Sequence, residues 1–153
     1  MPITKKTGFS GPIDKATKAL AGLILGGNHI PVDIAFAISA GAANVTNVEI
    51  SVTNKDGLVI PGVHVLDVWL SDAATGVGLT AATASGTVQA KAASGTVHGD
   101  LTAKKALRVS TLATGKFTLE ITDTVKTGFY VAAATGILPA QVSRQLVTGD
   151  YGA

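Results

Sequence analysis

The chain of 153 residues contains no cysteine. That excludes a disulfide framework, a thiolate nucleophile, a cysteine-ligated zinc site and an iron–sulfur cluster, so stability has to come from burial and backbone pairing. Charge is scarce as well: Asp, Glu, Lys and Arg make up 14% of the residues where about 25% is usual. Thr, Ser, Asn, Gly and Ala must therefore cover much of the surface. Twelve basic against ten acidic residues leave a net charge of +2, too small a field to steer nucleic acid or an anionic membrane. No apolar run approaches the ~18–20 residues that span a bilayer; the longest, residues 19–27, is broken by glycine. Lys5, Lys6, Lys15 and Lys18 precede it in the manner of a secretory signal. Its glycine content and the lack of a small-x-small cleavage pattern argue against that reading, and the chain is expected to stay unprocessed after synthesis in the cytoplasm.

What the sequence does have is alternation. Ile30, Val32, Ile34, Phe36 and Ile38 fall on one face of residues 29–39 and Pro31, Asp33, Ala35 and Ala37 on the other, the period of a half-buried strand. Val48, Ile50 and Val52 repeat the pattern, and Asn54-Lys55-Asp56-Gly57 then supplies turn chemistry, with Gly57 free to take positive φ. Residues 63–71 place His64, Leu66, Val68 and Leu70 opposite Val65, Asp67 and Trp69. Trp69 is expected to anchor the core, as large aromatics in sandwiches do. Three more strands are expected at 106–110, 117–122 and 129–133. Residues 141–148 read as a strand with Val142, Arg144 and Leu146 on one face, or as a short helix with Val142 and Leu146 at i, i+4. Only residues 14–25 look helical, with Asp14 near the N-cap and Gly26-Gly27 as a stop.

Residues 72–102 are almost entirely Ala, Gly, Thr and Ser and carry a near repeat, Ala84-Ser85-Gly86-Thr87-Val88 and Ala93-Ser94-Gly95-Thr96-Val97. Two copies are too few for a solenoid; a hairpin of two short edge strands, or a long ordered loop, is expected. Between residues 73 and 103 the only charges are Lys91 and Asp100, which suggests one long uncharged surface for packing against another protein. Short strands with turns between them and no βαβ unit predict an all-β, immunoglobulin-like antiparallel β-sandwich. The expected organisation is an N-terminal arm (1–28) containing the short helix, the sandwich (29–135), and a C-terminal tail (136–153) that adds a strand.

Chemistry-bearing residues are few. His29, His64 and His98 show no short ligand spacing, so structural or surface roles outweigh metal binding. Ser94, His98 and Asp100 include every residue type of a hydrolytic triad, but neighbours on one extended segment form the required hydrogen-bond chain poorly, and no Gly-x-Ser-x-Gly elbow is present. Gly22, Gly26 and Gly27 match no phosphate-binding fingerprint and suit a helix stop; Gly115-Lys116 lacks the rest of a P-loop. Asp33, Asp56, Asp67, Asp72, Asp100 and Asp123 follow no calcium-loop pattern and suit turns. Lys104, Lys105 and Arg108 form the densest basic cluster, without aromatic interleaving for nucleic-acid stacking. No catalytic residue, metal site or cofactor is expected.

Residues 48–130 resemble small virion proteins of tailed bacteriophages that carry an immunoglobulin-like domain. The resemblance is carried by Val52-Thr53-Asn54-Lys55-Asp56-Gly57, Ile60-Pro61-Gly62-Val63-His64, Val68-Trp69-Leu70-Ser71-Asp72-Ala73-Ala74-Thr75-Gly76 and Leu119-Glu120-Ile121-Thr122-Asp123-Thr124. Ser143-Arg144-Gln145-Leu146-Val147-Thr148-Gly149-Asp150-Tyr151-Gly152 is also similar to such proteins. The resemblance implies a non-enzymatic capsid decoration, cement or head-fibre-like protein on the virion surface. Its partners would be the major capsid protein or other virion proteins and copies of itself, as a homo-oligomer and most simply a trimer, without nucleic acid or membrane. The arm is then the expected docking element. The competing class is an adhesive or carbohydrate-binding immunoglobulin-like module, for which Trp69, Tyr130 and Tyr151 are the available aromatics.

Overall fold

The computed structural model describes residues 30–153. The arm, its helix at 14–25, His29 and the glycines at 22, 26 and 27 lie outside the described residues. Nine strands follow in order: β1 (Asp33–Ala40), β2 (Val45–Thr53), β3 (Val65–Ser71), β4 (Val88–Ala90), β5 (Thr96–Thr102), β6 (Ala106–Ser110), β7 (Lys116–Thr122), β8 (Tyr130–Ala134) and β9 (Gln141–Val142), with a 3-10 turn at Thr148–Asp150. They form two antiparallel sheets, a four-stranded one in the order β1-β2-β7-β4 and a five-stranded one in the order β5-β6-β3-β8-β9. The order β1-β2-β7-β4 matches A-B-E-D of a constant-type immunoglobulin domain and β3-β8-β9 matches C-F-G. The β5–β6 hairpin is an insertion between the D and E positions, and it extends the second sheet beyond β3.

The alternation of the sequence becomes the core. Val48, Ile50 and Val52 of β2 and Phe117, Leu119 and Ile121 of β7 meet Leu66, Val68 and Leu70 of β3, Leu107 and Val109 of β6, and Val131 and Ala133 of β8. Burial of one face per strand also fixes register, because a one-residue slip would turn every apolar side chain outward. The Asn54 turn forms as expected: its Oδ1 accepts the amides of Asp56 (2.9 Å) and Leu58 (3.0 Å), and Gly57 has φ +74°.

Five expectations change. The first strand begins at Asp33, so Ile30 and Val32 lie ahead of it and are exposed rather than on its inner face; Pro31 has no N–H to extend the ladder. The repeat at 84–97 is not a hairpin, since β4 pairs with β7 in one sheet and β5 with β6 in the other. Each copy instead delivers a strand to a different edge through a closely packed glycine. A Cβ on Gly86 would meet the Thr122 carbonyl at 2.8 Å, and one on Gly95 would meet Phe117 at 2.5 Å. For the same reason residues 73–103 do not make one uncharged surface, because they are divided between both sheets. Trp69 is not in the core; it stands half-buried on the outer face of the five-stranded sheet. The C-terminal strand is only Gln141–Val142, pairing with β8. Beyond it Leu146 and Tyr151 join the core, and Gly152 exchanges hydrogen bonds with Asn44 and Val45 (2.9 and 3.0 Å). Among the described residues no helix is long and apolar enough to cross a membrane.

Candidate binding face

The outer face of the five-stranded sheet is built by the residues that alternate away from the core: Val65, Asp67, Trp69 and Ser71 of β3, Ala106 and Arg108 of β6, and Tyr130, Ala132 and Ala134 of β8. The cross-strand register sets Trp69 between Ala106 and Ala132 and Asp67 between Arg108 and Ala134. Residues 72–81 then fold back over part of this face.

That loop is pinned by hydrogen bonds, since its small side chains bury too little apolar surface to order it. Thr80 donates its hydroxyl to Asp72 (2.6 Å), and the Ala81 amide donates to the other carboxylate oxygen (2.8 Å). These bonds hold Asp72 below the usual carboxylate range. Lys105 donates to the carbonyls of Thr80 and Ala81 (2.8 and 3.0 Å), and the Trp69 indole N–H donates to the Gly76 carbonyl (2.9 Å). Gly76 has φ +70°, and a Cβ there would lie 2.6 Å from Val142 and 3.1 Å from Ala132. Only glycine lets the loop lie this close to the sheet.

Between this loop and β5 runs a groove of about 440 Å³, lined by Asp67, Trp69, Gly76, Leu79, Leu101 and Thr102 among others. Leu79 and Leu101 are 46% and 53% exposed, so an apolar rim faces solvent. A second groove of about 270 Å³ lies across Asp67 and Arg108, bounded by Val65, Ala134, Thr135 and Gly136. Between the two, Arg108 grips Asp67 by donating from Nε and Nη2 to its two carboxylate oxygens (2.8 and 2.9 Å). Hydrogen bonding to the guanidinium holds the Asp67 carboxyl below its ordinary value, against a smaller opposing effect of burial. The arrangement offers an aromatic edge, aliphatic walls and one fixed ion pair, the ingredients of a recognition surface.

The residues singled out from sequence do not converge. Ser94 donates its hydroxyl to the Lys91 carbonyl (2.6 Å), while His98 and Asp100 lie exposed on β5, and no hydrogen bond links the three. His64 faces the Ile60 carbonyl through Nε2 (3.1 Å), and among the described residues no three His, Asp or Glu side chains gather as metal ligands. The aspartates are committed separately: Asp33 to the Ile34 amide, Asp56 to Lys55, and Asp123 to the amides of Ser85 (3.2 Å), Val125 (3.3 Å) and Thr127 (2.8 Å). Burial would raise the Asp123 carboxyl, but the amide and hydroxyl groups of Thr127 and Ser85 outweigh it and lower it. Lys105 and Arg108 are occupied by the loop and by Asp67, so the basic cluster is not a free patch. Gly115 makes a close backbone approach, a Cβ there falling 2.1 Å from the Ile60 carbonyl, and Lys116 pairs with Glu49 (2.8 Å). Tyr151 is buried with its hydroxyl on the Thr127 carbonyl (2.7 Å), which removes it from any aromatic platform.

Trp69 is the residue that sequence reasoning misplaced, and the signal was present. It shares parity with Asp67, opposite Leu66, Val68 and Leu70, so alternation already put it on the outer face; the general preference of aromatics for cores overrode it. Compared with known proteins, the chain matches no family model and no curated sequence.

Proposed function

We propose that the chain is a non-enzymatic structural protein of a bacteriophage virion, decorating or cementing the capsid surface as a homo-oligomer. The observation that carries this reading is the outer face of the five-stranded sheet, where an apolar-rimmed groove and a smaller, more polar one adjoin a single internally neutralised ion pair. Such a face docks on another protein with little desolvation of charge. The commitment of Ser94, Asp67, Asp72 and Asp123 to structural hydrogen bonds favours a scaffold over a catalyst, and the resemblance over residues 48–130 supplies the virion context. Purified virions from the source of the sequence should contain the chain in fixed proportion to the major capsid protein, as measured by mass spectrometry and located by imaging. Virions that lack it overturn the reading.

One observation favours the second reading, a carbohydrate-binding or adhesive module: Trp69 is half-exposed in a groove beside Asp67, with Tyr130 on the same face. Aromatic faces and a neighbouring acceptor are what sugar rings require. Trp69 is the only tryptophan, so its fluorescence reports this groove alone. Quenching or a blue shift by glycans supports the sugar-binding module, and emission that changes with capsid protein but not with glycans supports the virion reading.

A further inference from the structure

Sheet edges are hazardous because their free N–H and C=O groups template further pairing, and proteins blunt them with short strands, bulges, proline or charge. Three of the four edges here are blunted. β4 and β9 are only three and two residues long, and β5 carries register shifts between Val97 and Gly99 and between Asp100 and Thr102. β1 is different. It pairs with β2 over eight consecutive positions without a shift, and Ile34 to Ala40 contain no charge and no proline.

The ladder shows which groups of β1 are free. Gly41 donates to the Val45 carbonyl (2.8 Å) and Val52 to the Gly115 carbonyl (3.3 Å). The alternation of an antiparallel pair therefore turns the odd-numbered residues of β1 toward β2 and the N–H and C=O of Phe36, Ile38 and Ala40 outward. The outward Ile34 amide is capped by its neighbour Asp33 (2.8 Å), which closes the ladder at that end. Phe36 and Ile38 point to the core side yet remain only partly buried, because nothing among the described residues continues the sheet past them.

We propose that β1 pairs with β1 of a second copy of this chain, antiparallel about a two-fold axis through Ala37. The segment is complementary to itself in this register. Phe36 faces Ile38 on the inner side, Ala37 faces Ala37 and Ala35 faces Ser39 on the outer side, and Asp33, the one charge of β1, faces Gly41 rather than its own copy. The outward groups fall in register too, since Phe36 and Ile38 then exchange N–H and C=O as a hydrogen-bonded pair. The result is a continuous eight-stranded sheet and an isologous dimer, in place of the trimer that the virion resemblance suggests. A strand-edge contact is smaller than a standard interface of about 1,600 Å², so the dimer is reversible and concentration-dependent.

The absence of native cysteine makes the test clean. Residues directly opposite in a non-hydrogen-bonded antiparallel pair have Cβ atoms about 4.5–5.5 Å apart, within reach of a disulfide after slight adjustment. In the full chain, Ala37→Cys should oxidise to a covalent dimer, while Ala35→Cys, which would face Ser39, should stay largely monomeric. Ala37→Lys, exposed and compatible with the fold, should weaken self-association in sedimentation roughly tenfold or more by setting like charges face to face. Amide exchange at Phe36, Ile38 and Ala40 should slow as protein concentration rises. Failure of Ala37→Cys to cross-link, a wild-type chain that sediments as a monomer at every concentration or as a trimer, or equal cross-linking by both cysteine variants would overturn the proposal. So would protection of those amides independent of concentration, which would assign the edge to residues 1–29 of the same chain.

Discussion

The two sheets of this sandwich are made of similar residues but differ in regularity. The four-stranded sheet keeps an unbroken register from β1 through β2 to β7, and its outer side carries ordinary solvent-facing pairs such as Lys116 with Glu49 and Gln89 with Glu120. The five-stranded sheet has a doubly shifted edge at β5, a two-residue strand at β9 and a loop folded over its outer face. Both grooves lie on the irregular sheet. Regular pairing supplies stability, and departures from it create the concavities, so the grooves lie where the sheet stops being ideal.

The sharpest way to break this comparison is to truncate each sheet. Phe117 is fully buried on β7, with the Gly95 backbone against it, and Phe117→Ala should cost about 3–5 kcal/mol by the lost transfer energy and the cavity left behind. Leu79→Ala in the groove, starting from a side chain 46% exposed, should change stability by about 0.5 kcal/mol or less while altering Trp69 emission. Urea denaturation measures both, and comparable losses at the two positions would erase the division between scaffold and site.

A smaller effect concerns the junction of the sheets. Asp123 follows β7 and binds the amides of Ser85, ahead of β4, and Thr127, ahead of β8, so it ties both sheets to one turn. Its pKa is lowered in the folded state, as are those of Asp67, Asp72 and Asp150. A carboxyl depressed on folding stabilises the protein above its unfolded value of about 4, and that contribution is lost as pH falls through the folded value. The melting temperature should therefore decline as pH drops below about 4. Asp123→Asn should cost roughly 1–3 kcal/mol near neutrality by weakening three amide hydrogen bonds and should make the acid decline shallower. An unchanged acid profile would show that the turn is not the tie.

The smallest effect separates two buried hydroxyls, one in each sheet. Ser143, beside β8, accepts the Val131 amide (3.0 Å) and donates to the Arg144 carbonyl (2.7 Å). Thr46, on the inner face of β2, is buried with no partner for its hydroxyl. Ser143→Ala should destabilise by about 1 kcal/mol, whereas Thr46→Val, which replaces the hydroxyl with a methyl of similar volume, should be neutral or stabilising by about 0.5–1 kcal/mol. Loss of stability at both would mean that the Thr46 hydroxyl is satisfied in solution.

Strand positions were legible in the sequence to within a residue or two at Val48, Ile50 and Val52, at Leu66, Val68 and Leu70, and at Phe117, Leu119 and Ile121, whereas the alternation over 29–39 ran four residues ahead of the strand, which begins at Asp33 and leaves Ile30 and Val32 exposed. The face of each side chain was legible in the same pattern, including that of Trp69, where parity and the preference of aromatics for cores point in opposite directions. The turn at Asn54 was legible because the Asn side chain and Gly57 act within a few residues of one another. Residues 72–102 were not readable in this way. Their small side chains carry no period, and their order depends on distant partners such as Lys105, Ser110, Thr122 and Asp123.

The sequence by itself determined the all-β class, the inward face of most strands and the absence of charge from residues 34–40, because each is written within one segment. Tertiary structure alone decided that the two copies of Ala-Ser-Gly-Thr-Val join different sheets, that the loop after β3 makes a groove against Trp69, and that, among the described residues, three edges are blunted while β1 stays open. Those outcomes depend on which strand becomes the neighbour of which, and a local period of two specifies a strand's faces without specifying its partner.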